Sequence, residues 1–139
     1  MIKLIAVGLD GSAYSLKAME EAVWLAKHYG AELHIVSVHE PVEPAFSASE
    51  ALAAEQTARN RLEELQSEAR ARAEGHGVQP ITNISSGNAT NALAEYARKH
   101  GIDLLVIGDK GHSSIWGGLL GNTAEKIVRD APCSVLVVR

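Results

Sequence analysis

Hydrophobic residues fall into short, dense runs along this chain. The runs are Ile2 to Gly8, Leu33 to Val38, a weaker Ile81 to Ile84, Leu104 to Ile107 and Val135 to Val138. Three of them are apolar at consecutive positions: Leu4-Ile5-Ala6-Val7, Leu104-Leu105-Val106-Ile107 and Val135-Leu136-Val137-Val138. A strand that is apolar at every position must be covered on both faces, the habit of parallel sheets lying between helices.

Helical stripes separate the runs. Ala18, Ala22, Leu25, Ala26 and Tyr29 recur at three- and four-residue steps before Gly30, which supplies a stop. Ala51, Ala54, Ala58, Leu62, Leu65, Ala69 and Ala73 form a longer stripe that ends near Gly75 and Gly77. Its charged side, with Glu55, Arg59, Glu63, Glu68 and Arg72, reads as a solvated helix face. Ala92, Leu93, Tyr96 and Ala97 precede Gly101, and Ala124, Ile127, Val128 and Ala131 precede Pro132. The predicted order is β-α-β-α-β-α-β-α-β. Such alternation implies right-handed crossovers and an α/β fold, one open five-stranded parallel sheet with helices on both faces. No change of composition divides residues 1–139, so a single domain is expected. The stretch Pro41 to Ser49 reads as an extended loop after the second strand, at the carboxyl edge where open α/β sheets bind ligands.

Composition narrows the functional classes. The 139 residues carry a formal charge of −4 and six aromatic residues, which leaves neither a phosphate-neutralising surplus nor a base-stacking platform for nucleic acid. A single cysteine, Cys133, excludes an internal disulfide. The first apolar run is too short for a signal sequence or a membrane span, so a cytoplasmic location without membrane contact is expected.

Chemistry gathers at the carboxyl ends of the strands. Asp10-Gly11-Ser12 follows the first strand, and Gly108-Asp109-Lys110-Gly111 follows the fourth. Nine residues later stand Gly121-Asn122-Thr123, which open the fourth helix. Five of the 12 glycines lie between 108 and 121. Glycines let backbone amides approach a ligand, and a helix N-terminus favours phosphate. Spacing alone leaves a second reading open, because Asn122 with Glu125 also resembles a capping box. Neither a P-loop nor a Rossmann fingerprint occurs. His34 and His39, five apart on one strand, point to opposite faces and make no metal pair. Cys133 reads as a small core residue.

Together these segments resemble the universal stress protein family over essentially the whole chain. The resemblance rests on Val7-Gly-Leu-Asp-Gly-Ser12 with Ser15 and Ala18, on Gly87, on Tyr96-Ala97, on Ile102-Asp103-Leu104, and on the Gly108-to-Asn122 spacing. Ala131-Pro132-Cys133 and Val135 to Val138 complete it. It implies strand order 3-2-1-4-5, as in adenine nucleotide alpha hydrolase-like folds, and membership of the branch that binds ATP with Mg2+ or Mn2+. Carried over, Asp10 would lie by the phosphates and their metal, Val38 would offer its backbone to adenine, and Gly108 would approach the ribose. Gly111, Gly121 and Asn122 would hold phosphates. Ser12 is placed in the same cleft by its position. The family pattern has Ser or Thr where this chain has Asn122, and Thr123 is the neighbouring hydroxyl.

The apolar last strand, at a sheet edge, is normally paired or covered, and a homodimer across it is expected. The expected action is regulatory: nucleotide occupancy biases the loops at 108–121 and 41–49, and a protein partner reads that state. Two alternatives stand beside it. One is a slow ATPase or phosphotransferase, for which Asp10 and Lys110 are the nearby groups. The other is a nucleotide-free dimeric interaction module, favoured by Asn122. A receiver-type phosphoacceptor fold is excluded, because Ser85-Ser86-Gly87 stands where an acceptor aspartate would follow the third strand.

Overall fold

The structure, a computed structural model, describes residues 1–41, 47–110 and 122–139. Strand β1 (Leu4–Gly8) leads to α1 (Ala13–Tyr29), β2 (Glu32–His39), α2 (Ala48–Gly75) and β3 (Ile81–Ser86). Helix α3 (Ala89–His100), β4 (Leu104–Gly108), α4 (Asn122–Asp130) and β5 (Ser134–Val138) follow. The strands form one sheet in the order β3-β2-β1-β4-β5, and every pairing is parallel. Both the alternation and the strand order match the expectations from sequence.

Side chains of the central strands alternate between two cores. Ile5, Val7, Leu33, Ile35 and Val106 pack with Ala18, Met19, Ala22 and Ala69 from α1 and α2. Ala6, Val36, Leu105 and Ile107 pack with Leu93, Ala97 and Ile127 from α3 and α4. A strand that feeds both layers must be apolar at every position, which is the pattern the chain shows. Helix ends follow their caps. Ser12, Ser47 and Asn88 accept the N–H of the third residue onward at the starts of α1, α2 and α3. Gly30 and Gly101 end α1 and α3 at φ of 63° and 65°, where a side chain would be strained.

Three details differ from the periodicity. Helix α2 begins at Ala48, with Ser47 as its cap, so the loop after β2 ends short of Ser49. The hydroxyl of Ser47 recruits the amide of Glu50 and starts the helix earlier than the alanine stripe suggests. Tyr29 and Val128 are exposed despite their apolar spacing, because each lies near its helix end, beyond the covered face. Among the described residues no helix is long and apolar enough to cross a membrane.

The amino edge of the sheet is fastened by one carboxylate. Asp103 Oδ2 accepts the N–H groups of Lys3 and Leu4 at 2.8 and 2.9 Å, while the Asp103 N–H donates to the Leu4 carbonyl at 2.8 Å. The two backbone hydrogen bonds favour the ionised form and hold the Asp103 carboxyl below its ordinary pKa. A depressed pKa contributes stability above the unfolded-state value, and that contribution is lost as pH falls through the folded value. Asp103→Asn should therefore lower the urea midpoint at neutral pH and show a smaller further loss on acidification than the wild type. Urea titrations from pH 7 to pH 3 check this.

Candidate functional site

Chain direction reverses between β1 and β4. From β1 the chain winds outward through β2 to β3, then crosses back to β4 on the other side. The crevice at the carboxyl ends of those two neighbours is the switch point at which open parallel sheets place ligands. The Asp10-Gly11-Ser12 turn and the Gly108-Asp109-Lys110 segment meet there.

The turn is built around one buried hydroxyl. Ser15 Oγ accepts the N–H groups of Asp10 and Gly11 at 3.3 and 3.1 Å and donates to the Ser12 carbonyl at 3.0 Å. Asp10 Oδ1 accepts the Ser12 N–H at 2.8 Å, and Gly11 takes a φ of 88°. Ser12 Oγ caps α1 by accepting the Ser15 N–H at 3.2 Å and donates across the crevice to the Lys110 carbonyl at 3.4 Å. The amides of residues 10, 11 and 12 are thus spent inside the turn. The side chains at the turn are engaged too: the Asp10 carboxylate accepts the Ser12 N–H, and the single O–H of Ser12 is given to Lys110.

Gly108 is required by packing. A Cβ there would lie 2.7 Å from both the carbonyl carbon and Cβ of Tyr14, and 2.9 Å from the Ser15 amide nitrogen. The first turn of α1 therefore rests directly on the end of β4, and this contact brings Ser12 within reach of Lys110. The sequence reading tied Gly108 to a ligand; its absent side chain already serves this helix contact. Lys110 Nζ lies 5.9 Å from the centre of the Tyr14 ring, and Lys17 Nζ lies 5.8 Å from it, both within cation–π range.

Asp109 follows β4 beside the crevice and was given no role from the sequence. It is 7% exposed, its N–H donates to the Val138 carbonyl at 2.8 Å, and its Oδ1 has no hydrogen-bond partner among the described residues. Its Oδ2 lies 3.8 Å from the Arg139 guanidinium. A buried carboxylate oxygen without a donor is costly, and water, an ion or a ligand can supply the missing donor. The signal in the sequence was a charged residue immediately after a fully apolar strand.

Val38 sits near the end of β2, opposite Ser85, with its side chain against the α3–α4 core and its backbone at the carboxyl edge. Thr123 stands half-buried at the start of α4, which opens at Asn122 as expected. Gly111, Gly121, the Asn122 side chain and the glycine-rich stretch between, with His112 and Trp116, lie outside the described residues. Asp10, Ser12, Val38, Gly108 and Thr123 all fall at the carboxyl edge. Asp10, Ser12 and Gly108 converge on the crevice between β1 and β4, while Val38 is one strand away. Among the described residues no group of three His, Cys, Asp or Glu side chains forms a metal site.

The histidines divide as the spacing required. His39 faces α2, with Nε2 3.9 Å from the Glu55 carboxylate. His34 faces α3, where its Nδ1 lies 2.6 Å from the Tyr96 hydroxyl and its Nε2 lies 2.7 Å from Glu32. His100 stacks on Tyr96 at 4.0 Å. Burial, assisted by the Glu32 charge, pushes the Tyr96 phenol above its ordinary pKa, so the group stays a neutral donor. This cluster stands at the amino edge and serves the α3–β2 packing. Cys133 is half-buried, and burial pushes its thiol up, away from reactivity, in keeping with a core role.

Gly108→Ala should cost about 1–3 kcal/mol, because an added methyl meets backbone that has no room to yield. The urea midpoint should fall as α1 shifts from β4. Equilibrium unfolding of the variant checks the stability change.

A family model described as "Universal stress protein family" matches residues 1–139. A universal stress protein of Methanocaldococcus jannaschii is 31% identical, with 100% of this chain and 83% of that protein covered. The solved universal stress protein UspA of Lactobacillus plantarum superposes with a TM-score of 0.91 at 26% identity, covering 99% of this chain and 97% of its own. A universal stress protein solved in complex with cAMP superposes with a TM-score of 0.77 at 31% identity, covering 99% and 97%.

Proposed function

The chain belongs to the universal stress protein family, and from that premise we propose that it binds ATP with a divalent cation at the β1–β4 crevice and acts as a nucleotide-dependent regulatory homodimer in a stress response. The observation that carries this reading is the link from Ser12 Oγ to the Lys110 carbonyl. It ties the aspartate turn to the head of the glycine-rich segment at the switch point of the sheet. The relative solved with cAMP supports an adenine nucleotide as the ligand class.

The donor chemistry suits a hard cation. The Asp10 carboxylate and Ser12 hydroxyl are oxygen ligands, and the unpartnered Asp109 Oδ1 ends the neighbouring strand. Mg2+ is usually held by one or two carboxylates together with substrate phosphates, so a nucleotide-borne ion needs no preformed protein cage. Asp10 would hold the ion, and Ser12, whose single O–H is given to the Lys110 carbonyl, would turn that proton to a phosphate oxygen when nucleotide binds. Gly111, Gly121 and Asn122, with Thr123 at the start of α4, would supply donors from the helix N-terminus. Val38 would present backbone to the adenine, and Lys110 would balance phosphate charge. A divalent cation held there would offset part of the triphosphate charge. Nucleotide occupancy is the state that a protein partner reads.

The dimer rests on β5. This outer strand, Ser134–Val138, is apolar from Val135 onward, and each of those four residues is only half covered within one chain. A second copy of the strand would complete their burial and pair the free edge.

Two measurements test the proposal. ATP with Mg2+ should raise the melting temperature, and at 100 times Kd the gain corresponds to about 2.7 kcal/mol. Chelation by EDTA should weaken ATP about tenfold or more while leaving AMP nearly unchanged, and Asp10→Asn should reproduce that selective loss. Equal ATP binding with and without the cation would remove Asp10 from the proposed role. In sedimentation at micromolar protein the chain should run as a dimer, and a monomer would overturn the β5 interface.

A further inference from the structure

Ser37 stands between Val36 and Val38 in β2 and is 1% exposed. A hydroxyl so deep in a sheet is costly unless hydrogen bonds replace the lost water. Ser37 Oγ donates to the Leu9 carbonyl at 2.6 Å and accepts an N–H from Gln66 of α2 at 2.7 Å. Gln66 is 5% exposed, and its Nε2 also lies 3.3 Å from the Ile35 carbonyl and 3.2 Å from the Asn83 carbonyl. The acceptors around that nitrogen set the direction of the chain of bonds: Gln66 gives to Ser37, and Ser37 gives to Leu9.

That chain ends at the peptide that leads into the crevice turn. Strand β1 closes at Gly8, and Leu9 is the residue between it and Asp10. The Leu9 side chain is 2% exposed in the core shared with α1 and α2, and its N–H donates to the Val36 carbonyl at 2.9 Å. The Leu9 carbonyl and the Asp10 N–H belong to one planar peptide unit. Ser37 of β2 takes the carbonyl, and Ser15 of α1 takes the N–H. Two buried serines, one on each side, thus grip the peptide from which the Asp10 side chain projects. Through Gln66 the grip on the strand side reaches back to α2.

We propose that Ser37, oriented by Gln66, is a positioning residue for the crevice: by holding the Leu9–Asp10 peptide it sets where the Asp10 carboxylate stands, and with it the affinity for a cation-bound triphosphate. The inference rests on the nucleotide reading given above. Ser37 touches no ligand and acts only through Asp10. Without its hydroxyl the Leu9 carbonyl loses its side-chain partner, and the peptide is free to turn about the bonds on either side. An ion held by Asp10 feels that turn directly. A monophosphate, which needs no ion at Asp10, feels it little. The hydroxyl therefore separates ATP with Mg2+ from AMP, beyond any contribution it makes to stability.

Two readouts on Ser37→Ala test the proposal, with Gln66→Met as the variant that keeps the hydroxyl and removes its orienting donor. Amide hydrogen exchange of the nucleotide-free full chain should quicken about fivefold at Asp10, Gly11 and Ser12, with Lys3 and Leu4 at the amino edge unchanged. In calorimetric titration Ser37→Ala should weaken ATP with Mg2+ about fivefold and AMP less than about twofold. Gln66→Met should shift both readouts in the same direction by a smaller factor. A hydroxyl that only stabilises the fold would quicken exchange at both edges alike and leave the ratio of ATP to AMP affinity as it was; that result overturns the proposal. So does unchanged exchange at the turn. A wild-type chain that binds no ATP overturns the nucleotide reading, and the exchange experiment then decides by itself whether Ser37 positions the turn.

Discussion

Everything at the carboxyl edge depends on how closely the first turn of α1 rests on the end of β4. Gly108 permits that contact, since any Cβ there would stand 2.7 Å from Tyr14 atoms. With the helix seated, Ser12 reaches the Lys110 carbonyl and the aspartate turn faces the head of the glycine-rich segment. Move α1 outward by the width of a methyl group and the two halves of the crevice separate. Ser15 works inside the same constraint. Its buried hydroxyl gathers the amides of Asp10 and Gly11 and keeps the turn from unwinding under the helix.

The two edges of the sheet are treated differently by the same physics. At the amino edge polar groups are used up internally: Asp103 pins β1 to β4, and Glu32, His34 and Tyr96 satisfy one another. At the carboxyl edge Asp109 Oδ1 is buried and has no donor among the described residues. An unsatisfied buried carboxylate oxygen costs more than a neutral one, and the proposed ligand site lies at that edge.

Much of the fold was legible because the sheet is buried on both faces. Leu4 to Val7 and Leu104 to Ile107 are apolar at every step, and that pattern fits little besides the middle of a parallel sheet. Glycine stops at 30 and 101 were equally plain, since left-handed helix ends favour residues without a Cβ. The order of the strands came from resemblance, because periodicity carries no information about which strand lies beside which. The placement of Asp10 and Ser12 at the carboxyl edge was legible from their position after β1. Ser15 was noted only as part of the family pattern, because a serine in a helix's first turn gives no sign that its hydroxyl is buried. Asp109 was passed over because its burial depends on β5 and Arg139, which are distant in sequence.

The central claim is that the seam between β1 and β4 is where adenine nucleotide binds. Amide chemical shifts followed during titration with ATP and Mg2+ test it most directly. The account predicts saturable changes at Gly11, Ser12, Lys110 and Thr123, with the amino-edge amides of Lys3, Leu4 and Asp103 unmoved. Changes absent from those four positions at saturating nucleotide, or confined to another part of the sheet, would contradict it.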